Sequence, residues 1–295
     1  MKYKYLVFGT PIEHSKSPFI HTQFADQFNI DQNNDRKNPA KDLKTKDAAA
    51  FKEDVENFFT NSGTYCNVTL PYKSDACDLV LAKKGKLSER AQLAQAVNTI
   101  FMKDGKWHGD NTDGVGLLRD LEINHKLPLK GKNILIISAG GATQGILQPL
   151  LKAQPQSLVL ANRTPETPQK LAQHFSTIGK ITPSTLDDFG DQKFDVIIHA
   201  SSVGTKGSDA DKAKFKQQLL KLKGLIDPKT TIAYDLSYGK SADFFLQIAA
   251  EIGIQKSKCF DGLGMLVEQA AEAFWLAHGE RPNTAAVIAD ARAGK

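Results

Sequence analysis

A chain of 295 residues exceeds the roughly 250 residues at which a single hydrophobic core usually stops growing, so its length predicts two domains. Its hydrophobic content of 41% and charged content of 24% are those of an ordinary globular protein. The net charge of +5 rests on lysines scattered along the chain, which argues against a nucleic-acid-binding surface but suits small anionic ligands.

The apolar runs and the cysteines indicate the cellular compartment in which the protein is expected. No apolar run reaches the roughly 18 residues that a membrane-spanning helix needs, and Leu6-Val7-Phe8 is too short for the core of a signal peptide. Cys66, Cys77 and Cys259 are odd in number and lack CxxC spacing, so they predict neither a disulfide framework nor a zinc site. We therefore expect a cytoplasmic protein without a metal.

The first half of the chain is predicted to alternate strands with helices, because its apolar residues recur at strand and then at helix spacing. The predicted strands are Lys4 to Phe8, Tyr65 to Leu70 and Val97 to Met102. Three helices are predicted: one that begins at Pro18, one from Asp47 to Thr60, and one that ends near Ile123. Residues 31–47, which are dense in Asn, Asp and Lys, are expected to form a solvated loop.

Beyond Leu129 the pattern changes to that of a parallel nucleotide-binding sheet. Its predicted strands are Asn133 to Ile137, Leu158 to Ala161, Val196 to His199 and Thr231 to Asp235. Its predicted helices are Thr143 to Lys152, Asp211 to Leu222 and Ala242 to Glu251. The second half is therefore predicted to be a doubly wound α/β domain. The last long helix, Met265 to His278, is apolar on several sides and is expected to be buried against the first domain.

A glycine-rich turn joins the first of these strands to its helix, in the segment Ser138 to Gly145. Glycines let the backbone approach a pyrophosphate, and the helix N-terminus offers free N–H groups. The spacing is GGxxxG rather than GxGxxG, and Ser138 stands where a first glycine is expected. A tight turn without a ligand therefore remains an alternative.

The segment after the second strand, Asn162-Arg163-Thr164, bears on which nucleotide is bound. Sites that prefer NAD place an acidic residue there to bind the ribose 2′-hydroxyl. A guanidinium, an amide and a hydroxyl are instead donors that can bind a 2′-phosphate. A surface arginine at a strand end is the alternative, but the sequence favours NADP.

Polar residues also gather at predicted strand ends in the first half. Ser15 and Ser17 precede a helix and can bind a carboxylate, although Ser17 can equally be the cap of that helix. Lys73 lies in the first turn of a predicted helix, an unfavourable place for a merely structural cation because the helix N-terminus is itself positive. Asp113 follows Asn111-Thr112 and can be either a functional carboxylate or an N-cap.

Together these segments resemble the shikimate dehydrogenase family over essentially the whole chain. The resemblance rests on Ser15-Lys16-Ser17-Pro18, Asn67-Val68-Thr69 with Lys73, Ala96-Val97-Asn98-Thr99, Asn111-Thr112-Asp113-Gly114, Gly140-Gly141, Asn162-Arg163-Thr164 and Asp261-Gly262-Leu263-Gly264-Met265-Leu266. It implies an α/β protein in which residues 1–113 plus 261–295 bind the substrate and residues 114–260 form a Rossmann-like NADP-binding domain. It also implies the reversible NADPH-dependent reduction of 3-dehydroshikimate to shikimate, in aromatic amino acid biosynthesis, at a site between the two domains.

The resemblance implies a role for each motif residue. The catalytic pair would be Lys73 and Asp113. The substrate carboxylate would be bound by Ser15, Ser17 and Tyr238, and its hydroxyls and reacting oxygen by Thr69, Asn98, Asp113 and Gln269. NADP would be bound by Ala139, Gly140, Gly141, Ala142, Asn162, Arg163 and Thr164. Leu236 and Gly262 would lie beside the nicotinamide.

The sequence departs from the family pattern at several positions. Ser138 replaces a glycine, which costs little if its backbone angles are ordinary. Thr167 stands where the family often has a second basic residue, which weakens the expected preference for NADP. His199 replaces an asparagine and is interpreted as a strand-end residue rather than a catalyst, and Leu236 replaces a methionine.

Two alternative functions remain open from the sequence. One is a quinate/shikimate dehydrogenase with broader substrate or cofactor use; the absence of an acid beside Arg163 argues against NAD as its cofactor and leaves its substrate open. The other is a non-catalytic NADP-binding regulator, which would be expected to lack Lys73 or Asp113. Either way we expect small-molecule ligands only, no fused dehydratase partner, and a monomer or homodimer.

Overall fold

The computed structural model of the protein describes residues 3–37 and 47–294. These residues divide into two compact units, one formed by the described residues up to Gly116 and from Leu266 onward, the other by Leu117–Met265. The sequence predicts domain borders a few residues from these, at 113/114 and 260/261. That the first unit binds the substrate and the second binds NADP stays a prediction.

The first unit is built on a mixed six-stranded sheet. Its strands are β1 (Tyr3–Phe8), β2 (Gln32–Lys37), β3 (Tyr65–Val68), β4 (Lys86–Leu87), β5 (Thr99–Lys103) and β6 (Lys106–Asp110). They lie in the order β2-β1-β3-β5-β6-β4. Strand β1 is parallel to β2 and β3, whereas β5 is antiparallel to β3 and β6. The turn between β5 and β6 is Asp104-Gly105, both with positive φ, as the right-handed twist of a tight hairpin requires.

The helices of this part of the chain begin where the sequence supplies start signals. They are α1 (Ser17–Gln27), α2 (Ala48–Thr60), α3 (Lys73–Ala82), α4 (Glu89–Ala94) and α5 (Asp113–Arg119), the last continuing into the second unit. Asp47 caps α2 by accepting a hydrogen bond from the Ala50 N–H at 2.9 Å. Pro18 lies in the first turn of α1, but Ser17 is not its cap, because the N-cap residue is Lys16.

The prediction of a loop over residues 31–47 is wrong for its first part, where β2 pairs in parallel with β1. This edge strand carries polar side chains throughout, so it lacks the apolar alternation that marks a strand in sequence. Its backbone pairs with β1 whatever its side chains are. Residues 38–46 lie outside the described residues.

The second unit contains a parallel six-stranded sheet. Its strands are β7 (Asn133–Ile137), β8 (Ser157–Asn162), β9 (Thr182–Thr185), β10 (Val196–His199), β11 (Ile232–Asp235) and β12 (Cys259–Asp261). Their order is β12-β11-β10-β7-β8-β9, and every neighbouring pair is parallel. The first strand thus lies in the middle, where the strand order reverses, which confirms the predicted doubly wound arrangement.

Helices connect the strands of this sheet. They are α6 (Gly141–Lys152), α7 (Glu166–His174), α8 (Val203–Lys206), α9 (Asp209–Leu220) and α10 (Asp243–Glu251). Parallel strands need crossover connections of this kind. Because the helices cover both faces of the sheet, β7 carries apolar side chains on both of its faces. None of the helices formed by the described residues is long and apolar enough to span a bilayer.

The chain ends with α11 (Leu263–His278) and α12 (Ala285–Arg292). Val267, Ala270 and Phe274 of α11 pack into the core formed by β1 and α1, which includes Tyr5 and Phe24. The predicted return of the C-terminal helix to the first domain is confirmed.

Candidate active site

Lys73 and Asp113 form an ion pair in the first unit. Lys73 is the first residue of α3, Asp113 is the first residue of α5, and the Lys73 Nζ donates a hydrogen bond to Asp113 Oδ2. The two side chains are 22% and 13% exposed, so the pair is sheltered yet reachable by a ligand. The carboxylate compensates the cation at the positive end of a helix. The structure therefore brings together the two residues expected to be catalytic.

Asn98 holds the other oxygen of the Asp113 carboxylate. Its Nδ2 donates to Asp113 Oδ1 at 2.7 Å, and its Oδ1 accepts from the Thr112 N–H at 2.9 Å. Gln269 Oε1 accepts hydrogen bonds from Thr112 Oγ1 at 3.1 Å and from Asn98 Nδ2 at 3.4 Å. The backbone N–H of Asp113 donates a hydrogen bond to Asn111 Oδ1 at 3.2 Å. The Asp113 side chain is therefore bonded to both Lys73 and Asn98.

Asn67 is the centre of a buried polar network beneath this pair. Its Oδ1 accepts from Tyr5 Oη at 2.9 Å and from His21 Nε2 at 3.0 Å, and its Nδ2 donates to the Asn98 carbonyl at 2.9 Å. Because an amide oxygen only accepts, His21 carries its proton on Nε2, and its Nδ1 accepts from Tyr65 Oη at 2.7 Å. Burial lowers the pKa of His21 to about 3, so the ring is neutral.

The two serines lie at the start of α1. Ser15 Oγ accepts the N–H of Ser17 at 3.2 Å, and the Arg36 guanidinium holds the Ser15 carbonyl through Nε at 3.1 Å and Nη2 at 2.8 Å. Burial raises the pKa of Tyr5, while a hydrogen bond with Ser17 partly offsets that rise. Ser17 is thus linked through Tyr5 to Asn67, and through Asn67 to Asn98.

Thr69 follows β3 and is half-buried. Its N–H donates to the Phe8 carbonyl at 2.9 Å, and its methyl group lies where a Cβ on Gly9 would stand. Gly9 therefore allows the two chain segments to approach closely.

The glycine-rich turn of the second unit leaves room for a ligand. Gly140 is the N-cap of α6, and a Cβ on Gly141 would meet no atom within 4 Å. Ser138, which precedes them, has φ of +94°, so the condition under which replacing the glycine costs little is not met. Its N–H donates to the Ala161 carbonyl at 2.8 Å, and its carbonyl accepts from Thr143 Oγ1 at 2.8 Å. These bonds hold the turn in its strained form.

A cavity of about 360 Å³ lies at the carboxyl ends of β7 and β8, and Ser138, Asn162 and Arg163 line it. Asn162 Nδ2 donates to the Thr164 carbonyl at 3.1 Å and so shapes the turn after β8. The loop and the Asn162-Arg163-Thr164 segment, predicted separately from sequence, therefore follow neighbouring strands. This is the edge of a doubly wound sheet where ligands bind.

Leu236 and Gly262 are adjacent after β11 and β12. The Gly262 N–H donates to the Ser237 carbonyl at 2.8 Å, and a Cβ on Gly262 would overlap the Leu236 carbonyl oxygen. Only glycine fits there. Tyr238, two residues after Leu236, has its pKa raised by burial.

Sequence comparisons place this geometry in a family. Residues 7–100 match the shikimate dehydrogenase substrate binding domain, and residues 122–222 match shikimate / quinate 5-dehydrogenase. The chain is 42% identical to the shikimate dehydrogenase (NADP(+)) of Laribacter hongkongensis, over 96% of each chain. The chain belongs to the shikimate dehydrogenase family.

Solved structures of similar chains share the fold of this family member. An Ael1 enzyme from Pseudomonas putida is 36% identical, with a TM-score of 0.84 over 98% of both chains. A shikimate 5-dehydrogenase from Thermus thermophilus, in complex with NADP(H) and shikimate, is 26% identical, with a TM-score of 0.77 over 99% of this chain and 100% of the other.

Sequence reasoning missed several residues that support the site of this shikimate dehydrogenase family member. Arg36 lies on β2, which the sequence predicts to be a loop, and Tyr5 and His21 look like ordinary members of an apolar strand and helix. The one available signal was the polar His21 on the buried face of α1, where a polar group needs a partner.

His199 lies inside the second unit of this family member, away from any exposed surface. It is 2% exposed, its Nδ1 lies 2.9 Å from Asp235 Oδ2, and its ring stacks on Phe245 at 4.7 Å. These contacts join the ends of β10 and β11, in keeping with its interpretation as a strand-end residue.

Proposed function

We propose that this protein is an NADP-dependent shikimate dehydrogenase, an oxidoreductase that acts on a CH–OH group. It catalyses the reversible reduction of 3-dehydroshikimate to shikimate, a step of aromatic amino acid biosynthesis. The observation that carries the proposal is the sheltered ion pair of Lys73 and Asp113. It occurs in a chain 42% identical, over 96% of its length, to a curated NADP(+)-dependent shikimate dehydrogenase.

The residues of the second unit fit NADPH. Gly140 and Gly141 present no side chain at the N-terminus of α6, where free N–H groups can bind a pyrophosphate. Arg163, together with Asn162 and Thr164, offers donors for the 2′-phosphate. Ala139 and Ala142 complete the loop, and Leu236 and Gly262 are proposed to lie at the nicotinamide.

Lys73 and Asp113 are proposed to manage the proton of the reaction. When bound, NADPH would supply a hydride for the carbonyl carbon, and negative charge would then develop on the substrate oxygen. The Lys73 ammonium stabilises that charge and donates its proton to the oxygen, and it regains a proton from water. Asp113 keeps the ammonium in place by accepting its hydrogen bond. In the oxidation direction, neutral Lys73 takes the proton from the substrate hydroxyl.

The remaining site residues are proposed to bind the substrate. Ser15, Ser17 and Tyr238 are donors for the carboxylate. Thr69, Asn98 and Gln269, with Asp113, bind the hydroxyls and the reacting oxygen. Because Asn98 is only 3% exposed and already bonded to Asp113, it also orients that carboxylate.

The deciding experiment is the oxidation of shikimate by the purified protein with NADP⁺, followed by the absorbance of the reduced nicotinamide. Parallel reactions with quinate and with NAD⁺ test the broader family activity. We expect turnover with shikimate and NADP⁺ to exceed every other combination. Binding of NADP⁺ without turnover would instead indicate the non-catalytic regulator and would contradict the proposal.

We further propose that the enzyme acts on small molecules alone, as a monomer or homodimer. Light scattering on the eluting peak of a size-exclusion column measures the mass, and a larger assembly contradicts this.

A further inference from the structure

The cavity beside Arg163 contains more positive charge than the sequence motif supplies. Besides Ser138, Asn162 and Arg163, it is lined by Lys206 at the end of α8 and Lys214 on α9. The motif accounts for Arg163, because that residue directly follows β8. The two lysines reach the same cavity from helices more than 40 residues further along the chain.

A single guanidinium does not balance a phosphate monoester, which carries about −1.5 to −2 charges at neutral pH. The helix that follows Arg163 gives no help, because the charged residue in the first turn of α7 is Glu166. Further cations must therefore come from elements that are distant in sequence. Lys206 and Lys214 are both exposed, so their long side chains can reach an anion in the cavity.

One carboxylate, Asp211, also lines the cavity, and its contacts show why it does not cancel the lysines. Its Oδ2 accepts from Ser208 Oγ at 2.6 Å and from the Ser208 N–H at 3.2 Å, which closes the capping box of α9. The Ser208 hydrogen bonds, and then the charges of Arg163 and Lys214, lower the pKa of Asp211. Arg163 and Lys214 thus act on one point of the cavity, and three cations face one engaged carboxylate.

We propose that Lys206 and Lys214 complete the subsite for the cofactor 2′-phosphate and determine, with Arg163, the preference for NADP(H) over NAD(H). This inference rests on the proposed function, in which Arg163 binds that phosphate. It supplies the second cation that the first turn of α7 lacks.

The test is calorimetric binding of adenosine 2′,5′-bisphosphate and of 5′-AMP, which differ only in the 2′-phosphate. The variants are Lys206→Gln, Lys214→Gln and the double variant. Lys212→Gln is the matched control, because Lys212 is on α9 but does not line the cavity. We expect each cavity variant to weaken bisphosphate binding about three- to tenfold, and the double variant more, with 5′-AMP and the control unchanged. In turnover, the KM for NADPH rises by a similar factor while kcat stays the same.

An Arg163→Ala variant separates the two proposals. If it loses bisphosphate binding while the lysine double variant equals the wild type, the lysine subsite is overturned and the proposed function stands. Equal weakening of 5′-AMP, or an equal effect of Lys212→Gln, also overturns the subsite, because it shows only a general charge effect. A wild-type protein that does not distinguish the two nucleotides overturns both proposals.

Discussion

Lys73 owes its position to three separate constraints. It begins α3, its carbonyl accepts the Val97 N–H at 2.8 Å, and its ammonium is bonded to Asp113. The preceding residue, Tyr72, is fixed by stacking on Phe51 with centroids 4.8 Å apart. Because both the backbone and the ammonium are held, the proposed proton donor is oriented before the substrate arrives, which reduces the reorganisation needed in the transition state.

Replacing Lys73 with alanine removes the proposed proton donor. We expect Lys73→Ala to lower kcat by about 10²- to 10⁴-fold, with little change in the KM for NADPH. The control is Lys83→Ala at the other end of α3, where the lysine pairs with Glu56 at 2.7 Å. Steady-state kinetics in both directions measure the effect, and near-normal turnover in Lys73→Ala would remove Lys73 from the chemistry.

Ser138 is the second residue with a testable peculiarity, since its φ of +94° is one that glycine adopts without a Cβ penalty. We expect Ser138→Gly to raise the free energy of unfolding by about 0.5–1 kcal/mol. Removing the Cβ relieves its clash with the backbone, and the greater flexibility of glycine in the unfolded chain offsets part of that gain. Ser202→Gly is the control, because Ser202 has φ of −92° and gains nothing from glycine. Urea unfolding measures both, and equal changes in the two variants speak against strain at Ser138.

At the scale of elements, the start of α11 packs against the π-helical turn Asp120–Asn124. Burial alone would raise the pKa of Asp120, but hydrogen bonds from His125, Tyr234 and Asn124 outweigh it and lower the pKa. A Cβ on Gly264 would overlap this carboxylate. Glycine at 264 therefore lets a helix begin directly over a buried, fully bonded acid.

The close contact makes Gly264→Ala a test of this packing. The carboxylate cannot move without breaking its bonds to Tyr234, at 2.6 Å, and Asn124, at 2.8 Å. We expect a loss of about 1–3 kcal/mol in the free energy of unfolding, as for other overpacked sites. Gly224→Ala, where a Cβ meets no atom within 4 Å, serves as the control. Equal stability of the two variants in urea would show that the backbone absorbs the clash.

At the scale of the whole molecule, buried neutral histidines make stability depend on pH. Burial lowers the pKa of His21 to about 3, although the hydrogen bond that its Nε2 donates to Asn67 acts to raise it, and burial lowers the pKa of His278 to about 4. The unfolded chain binds protons on these rings near pH 6.5, whereas the folded protein does not. Protonation of these two rings therefore does not reduce the free energy of unfolding above pH 6.5, and it reduces that free energy progressively as the pH falls from 6.5 toward 3.

We expect the free energy of unfolding to fall between pH 6.5 and 5, where most carboxylates remain ionised. His21 alone contributes about 1.4 kcal/mol per pH unit, and His278 contributes less because it is more exposed. Urea unfolding at several pH values gives the slope. The slope should flatten in His21→Gln, and an NMR titration should show no protonation of His21 above pH 5. An unchanged slope in the variant contradicts this assignment.

The sequence by itself determined the parallel sheet of the second unit, the glycine turn and the motif residues, because these are local signals. Apolar, β-branched runs and glycines report backbone preferences within a few residues. The Asp104-Gly105 pair, where both residues have positive φ, is an equally local signal for a hairpin. The pairing of Lys73 with Asp113, the proposed catalytic pair, could be predicted only through the family resemblance, since the two residues are 40 positions apart.

Only the tertiary structure decided which polar groups meet. Edge strand β2 pairs through its backbone, which leaves no pattern in its side chains. Asn98 and Gln269 come within hydrogen-bond distance across 171 residues, and Lys206 and Lys214 line the same cavity as Arg163. Such long-range contacts depend on the tertiary fold rather than on local backbone preference, so no spacing of residues in the sequence predicts them.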